Sequence, residues 1–358
     1  MIITSCNTAI RGGGGRNHFL DTLKGICIIF VIFSHYAWTS NQRLELLFPY
    51  IIDMAVPIFM VISGYVYYLS FQKNNIEHIE SAYEISFLFP KVIRYTIPFL
   101  MVEAVDFICS SILHRFGYFT DFNRNFAQFL ISVFRGGNGP GSYYFPVMIQ
   151  FLFIYPFIYF SIKKYGTKGF VACFAVNALY EFYQRIYFVD GELYRLLVFR
   201  YTSVIAFGSL LASKHKKEIK IWDKVLAFVV GVAFLFVEAY TSYSPKIIIY
   251  WTGTCFISTL YILPVCSFFF EKCHNVRIAL FELAGKASFN IFLTQMVFFP
   301  YAGGVSGKLF ASVRNQYVSI GLQNLFNILI CLTIGILFYL MENRLTSKLI
   351  LLLERCYK

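Results

Sequence analysis

One histidine of this chain, His35, lies deep in an apolar segment, eleven residues after Lys24. The segment reads LKGICIIFVIFSH and is predicted to be helical, which puts the imidazole about 16 Å from the lysine along the helix axis. An ionisable group in an apolar helix is costly, so it is by default a candidate for function. The imidazole could act as a general base, or it could pack in a bundle with a hydrogen bond to a backbone carbonyl.

Three carboxylates are expected at a depth similar to that of His35. Asp53 lies near the outer end of the second apolar segment, and Glu103 and Asp106 lie in the third. One of them could orient the imidazole and raise its basicity, and we take Asp53 and Glu103 as the predicted catalytic partners. The same carboxylates could instead face a wet cavity or pair with Arg115.

Cations cluster at the end of these segments opposite to His35. Lys91 and Arg94 are three residues apart, so a helix would carry both on one face. Two cations there suit a phosphate-bearing ligand, and Lys24 would extend the same patch. Ordinary anchoring of a membrane helix by cytoplasmic cations would produce the same pattern.

The composition indicates that these residues are held in a bundle of membrane helices. Of the 358 residues, 58% are apolar and only 14% are charged, and the mean hydropathy is +0.62. This balance excludes a disordered protein, a coiled coil and an ordinary soluble enzyme. Ten apolar segments, too long for strands and without two-residue alternation, are predicted helices. They are 19–38, 47–71, 88–112, 143–161, 169–188, 194–213, 222–241, 247–270, 279–302 and 318–341.

The distribution of charge predicts the topology. The chain carries 31 Lys and Arg against 19 Asp and Glu. If the N-terminus lies in the cytoplasm and all ten segments cross, roughly two thirds of the cations fall in cytoplasmic loops, alternating loop by loop. The predicted fold class is therefore an all-α integral membrane protein with about ten transmembrane helices and both termini cytoplasmic.

The chain is expected to form one large domain between two short ends. A flexible cytoplasmic arm is predicted at 1–18, a ten-helix membrane domain at 19–341 and a short basic cytoplasmic tail at 342–358. The nine cysteines are irregularly spaced and mostly apolar in context, which favours buried free thiols over a disulfide framework or a metal site.

Six segments carry motifs that together resemble one family. In chain order they are LDTLKGICIIFVIFSHYAW, VPIFMVISGYVYY, FLFPKVIRYTIP, GSYYFPVMIQFLFIYP, FRYTSVIAFGSLLA and LAGKASFNIFLTQMVFF. They resemble the membrane acyltransferase-3 family of bacterial cell-surface O-acyltransferases, over residues 19–341. Two arginines of the family pattern appear here as Lys24 and Lys91, and Gln295 stands where many members carry a histidine.

The resemblance implies a function and assigns roles to residues. It implies transfer of an acyl group, usually acetyl, from cytoplasmic acyl-CoA to a hydroxyl of a cell-surface or secreted carbohydrate, in a multi-pass protein of the cell membrane. His35 would be the general base or a transient acyl carrier, and the cations Lys24, Lys91 and Arg94 would contact the phosphates of CoA. No metal and no nucleic acid are implied.

Two other classes of protein are compatible with the residues. A multi-pass transporter or exporter of a glycan precursor would also place carboxylates and a histidine inside the membrane, although no matched halves with paired broken helices are visible in the sequence. A structural or assembly subunit, in which His35 only packs, is the third possibility.

Overall fold

The computed structural model of the protein describes residues 17–112, 122–187, 191–213, 220–240, 256–273 and 275–356. Over these ranges the chain forms helices joined by turns and contains no strand, so the predicted all-α class is confirmed. The helices are α1 His18–Ser34, α2 Ser40–Glu45, α3 Ala55–Lys73, α4 Ile85–Ile112, α5 Phe122–Arg135, α6 Tyr144–Tyr165, α7 Thr167–Tyr187, α8 Gly191–Leu196, α9 Thr202–Ser213, α10 Ile221–Tyr240, α11 Phe256–Lys272, α12 Ala279–Lys286, α13 Ser288–Leu309 and α14 Gln316–Cys356.

Each of the ten predicted segments contains a helix, with some differences. The sixth contains the end of α8 and all of α9, with a 3-10 turn at Val198–Tyr201 between them, and the short helix α2 was not predicted. The second segment starts with turns, so α3 begins only at Ala55 and Asp53 lies before it. The ninth is divided at Ala287 into α12 and α13. The amphipathic helix α5 was not predicted, because its polar residues interrupt any apolar run.

Three of the described helices are long and apolar enough to cross a membrane, by length and composition. They are Ala55–Lys73, Tyr144–Tyr165 and, within α14, Gln316–Leu352; Val198–Ser213 is a shorter apolar stretch. The count of ten spans and the cytoplasmic placement of both ends stay predictions.

The predicted ends of the chain are only partly within the described residues. The arm at 1–18 lies outside them up to residue 16, and α1 begins at His18 after Asn17, whose side chain accepts a hydrogen bond from the backbone N–H of Leu20. The predicted tail begins as helix, since α14 continues unbroken to Cys356.

Glycines bring two helices of the core into backbone contact. A Cβ added at Gly64 of α3 would collide with the carbonyl oxygen of Ile205 in α9, and one added at Gly208 of α9 would collide with that of Val61. The buried Tyr155 hydroxyl of α6 donates to the carbonyl oxygen of Gly64 at 3.1 Å. Close packing of this kind is usual where small residues face each other in a membrane bundle. Ser63, the residue before Gly64, lines a cavity.

Candidate functional site

A cavity of about 190 Å³ lies between α1, α3, α4, α6 and α13. Its wall is mostly aliphatic and aromatic. The polar side chains in the wall are Lys24, Ser63, Tyr67, Tyr95, Tyr144 and Ser288. Each of the five helices carries one of the six motifs quoted above, so motifs that are distant in the sequence meet at this cavity. The volume is small for a compact ligand but suits a slender chain.

One face of α1 connects the cavity to His35. Lys24, Ile28 and Val31 line the cavity, at spacings of four and three residues. A further step of four reaches His35, so the imidazole lies on the same helix face, just beyond the lined stretch. The rise from Lys24 to His35 is about 16 Å. A cation and an imidazole therefore stand toward opposite ends of one apolar face.

His35 ends α1 and is held by a residue of α13. Its backbone N–H bonds the carbonyl oxygen of Ile32, and its ring stands edge-on to Phe299 at 5.7 Å between centroids. Its Nδ1 lies 3.2 Å from Oε1 of Gln295, which is 0% exposed. Among the described residues this is the only side-chain hydrogen bond of His35, and it does not go to a carboxylate.

Asp53 is paired with an arginine. Its Oδ1 accepts a hydrogen bond from Nη2 of Arg43 at 2.8 Å, and the Arg43 guanidinium also stacks over the ring of Phe48. The structure therefore does not join Asp53 to His35 by a hydrogen bond. Its predicted catalytic role stays a prediction, and the observed pair favours a part in fixing the turns before α3.

Glu103 is buried under a glycine-rich turn at 136–141. The side chain is 2% exposed and its Oε2 has no hydrogen-bond partner among the residues described. A Cβ added at Gly137, which has φ +100°, would collide with Oε1 of Glu103 and come within 2.7 Å of the Met296 side chain. Glu103 thus lies close to Met296, the residue after Gln295, and has no hydrogen bond to His35. Its predicted catalytic role is untested.

The turn also engages the second carboxylate of α4. The Asn138 amide donates to Oδ2 of Asp106 at 3.3 Å, and the Tyr301 hydroxyl donates to the backbone carbonyl of Asp106. Arg115, the suggested partner of these carboxylates, lies outside the described residues. The turn therefore ties the end of α4 to α13 beside His35.

The three predicted phosphate-binding cations have different surroundings. Nζ of Lys24 forms an ion pair with Asp21 at 2.8 Å, and the side chain also lines the cavity. Lys91 is 8% exposed, with Nζ 3.2 Å from the carbonyl oxygen of Phe87 and 2.7 Å from the centroid of that ring. Arg94 is partly exposed, has no hydrogen bond or ion pair within the described part of the chain, and precedes the cavity residue Tyr95. Sequence spacing put Lys91 and Arg94 on one face, but only Arg94 is available to a ligand in this conformation.

A cluster of charges at the start of α12 lies beside α1. Glu282, 3% exposed, receives Nζ of Lys286 at 2.6 Å and Nε of Arg277 at 2.9 Å, and Nδ1 of His18 lies 3.0 Å away. The cluster fixes the segment that leads into Ser288 of the cavity wall.

Two features of the site were not predicted from the sequence. Gln295 was noted only as a departure from the family pattern, although it is the residue that His35 contacts. Ser288 and Tyr144 lie within quoted motifs, but nothing in their spacing indicated that they share a cavity with Lys24. Both features depend on contacts between helices far apart in the chain.

A family model described as an acyltransferase domain matches residues 17–342. The match begins just before α1 and ends within α14, so it includes every residue of the cavity wall together with His35 and Gln295. Comparison with curated proteins and with solved structures found no match.

Proposed function

This chain belongs to the acyltransferase-3 family, and we propose that it transfers an acyl group, most simply acetyl, from acyl-CoA to a hydroxyl of a cell-surface or secreted carbohydrate. That it is an acyltransferase follows from the family. The observation that carries the finer proposal is the single face of α1, with Lys24 at the cavity and His35 about 16 Å farther along.

The donor would enter from the Lys24 end. Under the predicted topology this end is cytoplasmic, where acyl-CoA is available. Lys24 and Arg94, which has no ion pair within the described part of the chain, are the cations that could contact CoA phosphates, as charge-assisted hydrogen-bond donors. The narrow apolar cavity would take the pantetheine arm, whose extended chain can span the distance toward His35. Lys91, enclosed by aromatic rings, would support the wall at this end instead.

The chemistry would take place at His35. As a general base, the imidazole takes the proton of the acceptor hydroxyl while the hydroxyl oxygen attacks the thioester carbonyl. CoA leaves as a thiolate and takes the proton from the imidazolium. As a nucleophile, the imidazole attacks the thioester carbonyl and CoA leaves as a thiolate. The acyl-imidazole then passes its acyl group to the acceptor hydroxyl, and the hydroxyl proton goes to the thiolate by way of the freed imidazole. Both routes end in the same ester and free CoA.

The acceptor would approach from the side of the glycine-rich turn at 136–141. Under the predicted topology this side faces away from the cytoplasm, where surface glycans are assembled. The exposed Asn138 presents its amide on this side, where it donates to the buried Asp106, and the turn lies next to the α13 segment that holds Gln295. Carboxylates and amides are the usual partners of sugar hydroxyls, because they both accept and orient hydrogen bonds.

Purified full-length protein in lipid nanodiscs provides the test. We expect it to consume acetyl-CoA slowly alone and faster with a carbohydrate acceptor, and a His35→Ala variant to do neither. His78→Ala is the matched control, because His78 is exposed and far from α13 in the sequence. No thioester consumption by the wild-type protein with any acyl-CoA would contradict the proposal, as would equal rates for wild type and His35→Ala. Radiolabelled acyl-enzyme, trapped by rapid denaturation near neutral pH and released by hydroxylamine, would separate the acyl-carrier route from the general-base route, because an acyl-imidazole hydrolyses quickly in acid.

A further inference from the structure

The contact between His35 and Gln295 joins the end of α1 to the middle of α13. Nδ1 of the imidazole lies 3.2 Å from Oε1 of an amide that is 260 positions away in the chain. Gln295 is 0% exposed, in the middle of α13, whereas His35 is partly exposed at the end of α1. One residue is therefore fixed in the core and the other reaches an accessible edge of it.

The atoms of this contact define which nitrogen of His35 carries the hydrogen. An amide oxygen can only accept a hydrogen bond, and a neutral imidazole carries one N–H. Since Oε1 faces Nδ1, we propose that the hydrogen of the neutral ring resides on Nδ1 and that Gln295 is a positioning residue that holds His35 in this tautomer. Nε2 then carries the electron pair and is the basic or nucleophilic atom. This proposal rests on the acyl transfer proposed above.

The buried amide nitrogen of Gln295 is a second observation that points to function. This Nε2 has no hydrogen-bond acceptor among the described residues. A buried donor without a partner destabilises the folded protein, and an apolar side chain of the same size would avoid that cost. A residue whose task was only to fill the core would therefore be better replaced by methionine. The amide is nevertheless present here, and its oxygen is the atom that contacts His35.

The glycine-rich turn fixes the orientation of the segment that carries Gln295. A Cβ added at Gly139 would collide with the backbone carbonyl of Met296, and one added at Gly141 would come within 2.6 Å of the ring of Phe292. Only glycine at these positions lets the turn lie directly on α13. The turn thus limits rotation of α13 and keeps the amide of Gln295 aimed at α1.

The alternative partners of His35 are occupied or turned elsewhere. Asp53 is paired with Arg43, and Glu103 lies against Gly137. A neutral glutamine in place of a carboxylate orients the imidazole without adding a negative charge beside it. The arrangement is therefore a histidine held by an amide, rather than the histidine–carboxylate pair that the sequence led us to expect.

The tautomer can be measured directly by nitrogen NMR of wild-type protein labelled with 15N-histidine. The His35 signals are assigned by their loss in His35→Ala. We expect a protonated Nδ1 and an unprotonated Nε2 at alkaline pH, where the ring is neutral. The opposite tautomer, with hydrogen on Nε2, would overturn the proposal. This measurement needs no enzymatic turnover, so it separates failure of the tautomer assignment from failure of the proposed acyl transfer.

Two substitutions test the consequence for turnover. Gln295→Met keeps the volume and loses both polar atoms; it should leave thermal stability equal or higher, lower kcat by about tenfold or more, and remove the preference for Nδ1–H. Gln295→Glu keeps an acceptor oxygen and should retain more activity than the methionine variant. Gln323→Met is the control, because Gln323 accepts a hydrogen bond from Tyr36, the residue next to His35. Wild-type kcat in Gln295→Met, at equal yield, would reduce Gln295 to a packing residue.

Discussion

Gly25 of α1 and Gly285 of α12 hold the backbones of these two helices in direct contact. A Cβ added at Gly25 would collide with the carbonyl oxygen of Phe281, and one added at Gly285 would collide with that of Asp21. The neighbour of Gly25 is Lys24, the cation of the cavity wall. Two glycines far apart in the sequence therefore fix the end of α1 at which the donor is proposed to enter.

This contact predicts the effect of alanine at either glycine. Gly285→Ala should lower the free energy of unfolding by about 1–3 kcal/mol, because the added methyl group forces two helices apart. Gly321→Ala is the matched control, since a Cβ there meets nothing within 4 Å, and helix propensity should make it neutral or stabilising by up to about 1 kcal/mol. Thermal unfolding in detergent, monitored by size-exclusion chromatography, measures the stability of both variants. Equal stability of the two variants would show that the close approach is unimportant.

Removal of the imidazole should abolish transfer while leaving the protein folded. His35→Ala should lose about a hundredfold or more in kcat, as expected when a general base is removed. The purified yield should stay near that of the wild type, because alanine is a good helix former and is easily accommodated in an apolar segment. Wild-type activity should also fall at acid pH, since a protonated imidazole cannot accept a proton. Steady-state rates from pH 5 to 8, with His78→Ala alongside, measure both effects.

The two cations of α4 should have separable effects. Arg94→Ala should weaken acyl-CoA binding by about 1.5–3 kcal/mol, or about ten- to a hundredfold, because it removes a charge-assisted contact to phosphate. Lys91→Ala should mainly lower stability, because the ammonium and its stem fill an aromatic cluster. Binding of CoA by calorimetry and thermal unfolding give the two readouts. Arg344→Ala, an exposed arginine of α14, is the control for loss of one positive charge.

If Arg94→Ala binds CoA as tightly as the wild-type protein, the phosphate site does not include Arg94. The same result for the double variant Lys91→Ala with Arg94→Ala would reduce both cations to anchors of the helix end.

The cluster around Glu282 predicts the effect of removing its negative charge. Glu282 is 3% exposed and forms ion pairs with Lys286 and Arg277. Glu282→Gln should lower the free energy of unfolding by about 1.5–3 kcal/mol, because it weakens charge-assisted hydrogen bonds to a buried group. Glu80→Gln, at an exposed glutamate, is the control, and thermal unfolding at neutral pH provides the comparison. Equal unfolding temperatures of the two variants would show that the cluster does not stabilise the fold.

The ten-span topology is tested by reporter fusions. Fusions after Arg124 and Lys246 should report the outer side, and fusions after Lys168 and Lys217 the cytoplasm, because cations concentrate in cytoplasmic loops. Any one of the four on the opposite side would break the alternation of loops and with it the assignment of Lys24 to the cytoplasmic end. The two outer fusions and the two cytoplasmic fusions serve as controls for each other.

The sequence alone determined the class of the protein and the residues to examine. Continuous apolar segments can satisfy their backbone hydrogen bonds only as helices when water is scarce, so the ten segments were found from composition and length. Rise along one helix was equally predictable, which is why His35 could be placed about 16 Å from Lys24 before any contact was known. The six motifs indicated the family because each is local.

Only the tertiary structure decided which residues meet. Asp53 pairs with Arg43 and Glu103 lies under Gly137, so the partner of His35 is Gln295 of a helix 260 residues away. Depth along separate helices does not fix their rotation or which side chains face each other, because those depend on packing between helices that are distant in sequence. The same reason explains Lys91 and Arg94: helix spacing put them on one face, and packing against Phe87 buried one and left the other accessible.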